Sequence, residues 1–211
     1  MKRILFTALA LLAALTAARA DGRSEKTLGA MSAAIKALGS YRMTFSVSAG
    51  GEIDPMDGQC TVSGERYNIT LPTGTVFGDE KTAAKVDPQM KTVTLTRVDP
   101  TDKSLLSNPA RAFELLDGTF THRYVGQAQM SGKDCAQIEL TPVDNTLPIK
   151  KMTLYIATQG SLPVAVRYNI DGLDSPVTVE IKSVKGLPQV DGSLFAFDKK
   201  RWKGYEIIDL R

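Results

Sequence analysis

Tyr41-Arg42-Met43-Thr44-Phe45-Ser46-Val47-Ser48 alternates without a break. In an extended chain, successive side chains point to opposite faces, so Tyr41, Met43, Phe45 and Val47 share one face and Arg42, Thr44, Ser46 and Ser48 the other. The alternation returns at Tyr67/Ile69/Leu71, Val93/Leu95, Ile138/Leu140, Met152/Leu154/Ile156, Val166/Tyr168/Ile170 and Val177/Val179/Ile181. Each segment reads as a strand with one oily and one wet face. Many of them in series predict one strongly curved antiparallel sheet around something apolar, and whether a packed core or a ligand fills its concave side is the functional question.

Working outward, Ser24 to about Leu38 reads as a helix: Leu28, Met31, Ile35 and Leu38 recur at spacings of three and four, with Ser24 as cap and Gly39 as stop. Strands are expected at Tyr41–Ala49, Gly58–Ser63, Arg66–Leu71, Val76–Phe77, Thr82–Val86 and Thr92–Val98, with residues 50–58 as a turn region. A second set is expected at Arg123–Gln129, Cys135–Thr141, Lys151–Thr158, Pro163–Ile170, Val177–Val184 and Leu194–Asp198. Between the sets, Asn108 to about Leu116 predicts a short helix: Asn108 can cap, Pro109 suits the first turn, and Phe113, Leu115 and Leu116 gather toward one side. Such a helix would plug one mouth of the curved sheet or cross over its edge. The fold class is therefore mainly β, an α+β arrangement in which two helices cover the concave side of the sheet.

Lys2 and Arg3 precede an apolar run from Ile4 to Leu15, and Ala18-Arg19-Ala20 supplies a small-x-small cleavage site, so residues 1–20 read as a secretory signal peptide. Cleavage near Ala20 would leave residues 21–211 as a single soluble domain outside the cytoplasm. With Asp and not Cys at position 21, the new end would carry no lipid. The whole chain has 26 Lys+Arg against 23 Asp+Glu; without Lys2, Arg3 and Arg19 each sign counts 23. The basic excess therefore belongs to the leader and gives no argument for a nucleic-acid partner. The short cationic run Lys199-Lys200-Arg201-Trp202-Lys203 reads as a solvated turn.

Cys60 and Cys135 are the only cysteines. An exported chain can keep a disulfide, but Cys60 shares the face of Val62 while Cys135 is out of phase with Ile138 and Leu140. A Cys60–Cys135 bridge and two separately buried thiols both stand open. His122 is the one histidine, no HExxH, CxxC or GxSxG occurs, and no acid cluster has metal-ligand spacing. Asp99, Asp102 and Asp144 sit in turns, where Asp bonds its own backbone. The chain reads as a non-enzyme without metal or cofactor.

Several short stretches together resemble the LolA family of periplasmic outer-membrane lipoprotein carriers. Ser193-Leu194-Phe195-Ala196-Phe197-Asp198-Lys199-Lys200 followed by Gly204-Tyr205-Glu206-Ile207-Ile208-Asp209 is similar to the family's C-terminal end. Thr44-Phe45, Gly78-Asp79-Glu80-Lys81-Thr82 with Val86-Asp87-Pro88, Asn108-Pro109 with Phe113-Glu114-Leu115-Leu116, and Ile138-Glu139-Leu140-Thr141-Pro142 resemble other family segments in the right order. The resemblance implies an unclosed β-barrel capped by helices. It implies a monomeric periplasmic carrier that binds the acyl chains of lipoproteins, receives them from an inner-membrane lipoprotein-releasing ABC transporter and moves them toward an outer-membrane acceptor.

On that reading the acyl groove comprises Phe45, Val62, Ile69, Phe77, Leu95, Leu140, Leu154, Ile156, Tyr168, Ile170 and Val179, with Phe113 and Leu116 on the lid. The chain departs from the family at Ser63-Gly64-Glu65, leaving Arg66 as the nearest candidate for the arginine that latches the lid, and at Ala84 and Val86, where the family carries aromatics. Two other readings compete: a lipid- or lipoprotein-sensing receptor domain on the same scaffold, signalling to a protein partner, and a structural β domain with a filled core.

Overall fold

In the computed structural model, which describes residues 22–50 and 53–211, a helix α1 over residues 22–37 is followed by twelve strands. The expected signal peptide lies outside the described residues. The apolar stripe of α1 is buried through Leu28, Met31 and Ile35. Gly39, at φ +66°, turns the chain out of the helix, a conformation that an L side chain resists. The helix begins ahead of Ser24, whose hydroxyl bonds His122 Nδ1 at 2.8 Å and so pins the first turn to the sheet.

The strands are β1 (Ser40–Ala49), β2 (Ile53–Ser63), β3 (Arg66–Leu71), β4 (Gly74–Gly78), β5 (Thr82–Asp87), β6 (Thr92–Arg97), β7 (Phe120–Met130), β8 (Lys133–Pro142), β9 (Ile149–Ala157), β10 (Pro163–Ile170), β11 (Val177–Leu187) and β12 (Glu206–Asp209). They form one sheet in the order β12-β6-β5-β4-β3-β2-β1-β11-β10-β9-β8-β7. Two meanders are joined at the centre by β1 and β11, and β12 and β7 stay unpaired with each other, so the barrel is unclosed. The sheet is mixed where a purely antiparallel one was expected, because β12 runs parallel to β6. Register shifts at Thr44/Phe45, Val47/Ala49, Tyr124/Gly126 and Asn169/Ile170 add the local bend and twist that let the sheet wrap.

One cluster fills the inner face. Tyr41, Met43, Phe45 and Val47 of β1 meet Cys60, Val62, Tyr67 and Ile69 on one side and Val179, Val166, Leu154 and Ile138 on the other, with α1 laid across them. A second cluster lies on the opposite face of β4–β6. The register Asn68↔Phe77↔Ala84↔Leu95 carries Phe77 and Leu95 to the side away from Tyr67 and Ile69, where Phe197, Trp202, Tyr205 and Ile207 cover them. Trp202 stacks on Phe77 at 6.2 Å and meets Tyr205 edge-on at 5.5 Å. Alternation along a strand gives a period but not the sign of the inner face, so these two residues leave the predicted groove.

Three expected elements are replaced. Residues 53–57, read as turn, are strand. Leu194–Asp198 is no strand: Asp191 and Asp198 accept from Ser193 N and Lys200 N at 2.9 Å and start two single 3₁₀ turns, Gly192–Leu194 and Lys199–Trp202. Local side-chain bonds of this kind compete with a ladder. The mid-chain helix is absent as well. Residues 98–119 form a strap of consecutive turns, with Arg111 N bonding Asn108 O and Glu114 N bonding Arg111 O at 3.1 Å. A segment this short does not by itself recover the cost of helix nucleation.

Candidate functional site

The strap and α1 together cover the inner face, so the candidate site is what lies beneath them and what holds them down. Between the end of α1, the β1–β3 ends and the strap runs a groove of about 480 Å³. Ile35, Tyr41, Val62, Ala110 and Phe113 supply its apolar wall, and Ser32, Lys36, Ser40, Glu65 and Glu114 its rim.

Few bonds hold the strap. Leu105 N donates to Tyr168 Oη at 3.1 Å, and Tyr41 Oη reaches Pro109 O at 3.5 Å. Burial pushes both phenols well above the ordinary tyrosine range, so each stays a neutral hydrogen-bonding group. Burial, with Asp102 and Asp79 adding to it, pushes Tyr67 up to about 12. Lys103, buried at the start of the strap, meets Asp117 at its end at 2.8 Å. At the groove, Arg111 Nη2 lies 3.1 Å from Glu65 Oε2, Arg111 Nη1 lies 3.9 Å from Glu114, and Lys36 Nζ reaches Glu114 at 4.0 Å. Half-exposed ion pairs such as these are weak, and no ladder joins the strap to the sheet.

Of the predicted groove residues, Phe45, Val62, Ile69, Leu140, Leu154, Ile156, Tyr168 and Val179 gather with strap residue Phe113 in the inner cluster, and Ile170 packs against it. Leu116 does not line the lid: it is 44% exposed and rests on the flank of α1 beside Gly29, while its neighbour Leu115 points in at 2%. Nor is Arg66 the latch. It stands on the face opposite Tyr67, its guanidinium 5.2 Å over the Phe195 ring. The tie falls one residue earlier and with reversed sign, a carboxylate on the β2–β3 turn holding an arginine on the strap. Two charges 46 positions apart leave no local pattern, so the Glu65–Arg111 pair was not visible in the sequence.

The cysteines are free. Cys60 faces Met43 and Ile69 on the inner side, whereas Cys135 lies with Tyr155, Val164 and Ala165 in a separate cluster, which excludes the bridge left open by the sequence. Burial pushes the Cys60 thiol up to about 12 and raises Cys135 too, so neither presents a thiolate. The native protein is accordingly expected to resist a thiol reagent such as DTNB, with both thiols reacting after unfolding without reductant; an unreactive unfolded chain would restore the disulfide. The Ser24–His122 pair has the atoms of a nucleophile and base, but Ser24 is fully buried and closed to a substrate. Among the described residues no group of three or more His, Cys, Asp or Glu is placed to hold a metal, and no helix is long and apolar enough to cross a membrane.

No family model matches the sequence, and no curated protein matches it. The fold itself recurs among solved structures. An uncharacterized conserved protein from Thermus thermophilus superposes at TM-score 0.59, covering 88% of this chain and 98% of its own at 7% identity. A putative outer membrane lipoprotein-sorting protein domain from Vibrio parahaemolyticus superposes at 0.51, covering 87% and 99% at 10% identity. A LolA superfamily protein from Nitrosomonas europaea gives 0.46, covering 83% and 98% at 11% identity. At such identities the likeness is one of fold.

Proposed function

We propose that the protein is a periplasmic carrier that takes acyl chains onto the inner face of its sheet. Its cargo would be acylated lipoproteins, received from an inner-membrane ABC transporter and moved toward the outer membrane. The observation that carries this reading is the mismatch between the inner face and its cover. The face is a continuous apolar surface running from Ile69 through Phe45 to Leu140, yet residues 98–119 cover it without helix or ladder and through a handful of ties. A permanent core has no need of so loosely built a layer. The fold shared with the lipoprotein-sorting domain from Vibrio parahaemolyticus supports the same direction.

The physics suits the task. Each methylene withdrawn from water is worth about 0.8 kcal/mol, so an acyl anchor cannot cross an aqueous space unshielded. A carrier must also let go. An inner face that its own strap refills, through Leu105, Phe113 and Leu115, supplies the competitor that lowers affinity to a releasable level. Binding then requires the strap to lift, and the observed affinity is scaled by the fraction of molecules in which it has.

The test is native mass spectrometry of the protein with a triacylated lipopeptide and with the same peptide lacking its acyl groups. A one-to-one adduct with the acylated peptide only is the expected result. No adduct, with no co-purified lipid, would mean that the strap is a permanent layer of a filled core.

A further inference from the structure

Away from that groove, at the opposite end of the sheet, a second pocket of about 370 Å³ opens between the first half of the strap and the β9–β10 end. Phe120, Leu147, Pro148, Ile149 and Ile170 give it an apolar wall, and Asp99 and Asp102 stand on its rim. Two exposed apolar residues lie on turns bonded through the backbone to its vicinity. Val143, 64% exposed, bonds through its N–H to Thr119 O, next to Phe120; Leu173, 41% exposed, bonds through its N–H to Ile170 O. A pocket with an apolar wall and exposed apolar residues on neighbouring turns suits a surface that a partner covers.

The unbalanced charge around it is negative. Asp144 lies on the loop that brings Leu147 and Pro148 to the pocket, and Asp174 follows Leu173. Asp99, Asp102, Asp144 and Asp174 form no ion pair among the described residues. The cations nearby are already balanced: Lys103 by Asp117 at 2.8 Å and Lys150 by Asp171 at 3.4 Å. Three of the four aspartates cap their own turns, Asp99 through Thr101 N, Asp102 through Ser104 N and Asp144 through Thr146 N. Capping needs only an oxygen, which Asn, Ser or Thr would provide, so the caps leave the accumulated negative charge unexplained.

We infer that this pocket is a docking site for a protein partner, and that the segment it receives carries one apolar side chain flanked by lysine or arginine. The apolar residue fills the pocket between Ile149 and Ile170, and the flanking cations meet the four carboxylates, which set the approach and the choice of partner. The inference stands independently of the acyl-carrier reading. It does place the partner on the same strap that covers the inner face, against residues 99–107.

The test is an NMR titration of the full chain, methyl-labelled at isoleucine and leucine, with the blocked peptide Lys-Lys-Leu-Lys-Lys. Control titrations use Lys-Lys-Gly-Lys-Lys and Glu-Glu-Leu-Glu-Glu. The expected result is saturable shifts of the Ile149, Ile170 and Leu147 methyls with the first peptide alone. Asp99→Asn/Asp102→Asn, which keeps a capping oxygen at both positions, should weaken it at least fivefold and flatten its salt dependence. Equal shifts with the glycine peptide would reduce the site to diffuse charge and overturn the inference, as would no shift with the leucine peptide.

Discussion

Asp117→Ala is expected to cost about 2 kcal/mol of unfolding free energy, and adding Lys103→Met to the same chain should restore most of it. The side chain of Lys103 is 2% exposed and its ammonium lies 2.8 Å from Asp117 Oδ2. Stripping a buried charge of its partner costs roughly 3–5 kcal/mol where both are buried. Asp117 itself is 43% exposed, so water screens part of the pair and the figure falls below that range. Asp117 also accepts from Thr119 N and Oγ1, and Asp117→Asn separates the effects by removing the charge while keeping an oxygen for Thr119. Urea unfolding of the three variants reads the result directly. If Lys103→Met fails to rescue, the buried ammonium is not what Asp117 serves.

The same pair sets an acid limit. Burial alone would raise the Asp117 carboxyl, but hydrogen bonds from Lys103 and Thr119 outweigh it and hold the group at about 2. An unfolded aspartate titrates near ~3.9. With the folded value depressed, its contribution is fully present above about pH 4 and is lost as the pH falls toward 2. The Lys103→Met/Asp117→Ala chain should lack this component of the pH profile. Since the two residues stand at opposite ends of the strap, acid should loosen the strap together with the fold.

The strands were legible because they depend on local alternation. Arg66–Leu71 and Pro163–Ile170 coincide with their expected bounds, and β1, β5, β6 and β8 differ from theirs by no more than two residues at either end. What a period of two cannot convey is which face turns inward. For β4 to β6 the buried face, which carries Phe77 and Leu95, is covered by the Phe197–Ile207 segment and not by α1 and the strap, and nothing within these strands says which cover they meet. At the cysteines parity left the pairing open, and only the fold places Cys135 with Tyr155, Val164 and Ala165, apart from the inner cluster that holds Cys60. Leu115 and Leu116 are adjacent and alike, and only the turn geometry of the strap decides which is buried. β12 has four residues and pairs in parallel, a partnership that no pattern within Glu206–Asp209 announces.

Arg111→Glu is expected to open the groove, raising the apparent affinity for a triacylated lipopeptide about tenfold. In the wild-type chain Arg111 bridges Glu65 at 3.1 Å and Glu114 at 3.9 Å, with roughly a third of each side chain exposed. Reversing its charge sets three carboxylates against one another. Two unit charges about 4 Å apart interact by roughly 1 kcal/mol in water and more near a protein surface. Losing two attractions and gaining two repulsions therefore suffices for a tenfold rise in the open fraction, and apparent affinity follows that fraction until it approaches one. Glu65→Arg/Arg111→Glu restores the closest attraction in swapped form and should return affinity most of the way, which a general loosening of the fold would not do. Added salt should weaken the tie in the wild type and narrow the gap between the variants. Should Arg111→Glu bind no better than wild type while the swapped chain matches both, the Glu65–Arg111 pair is a surface ornament and the strap is held by Lys103, Asp117 and its buried side chains alone.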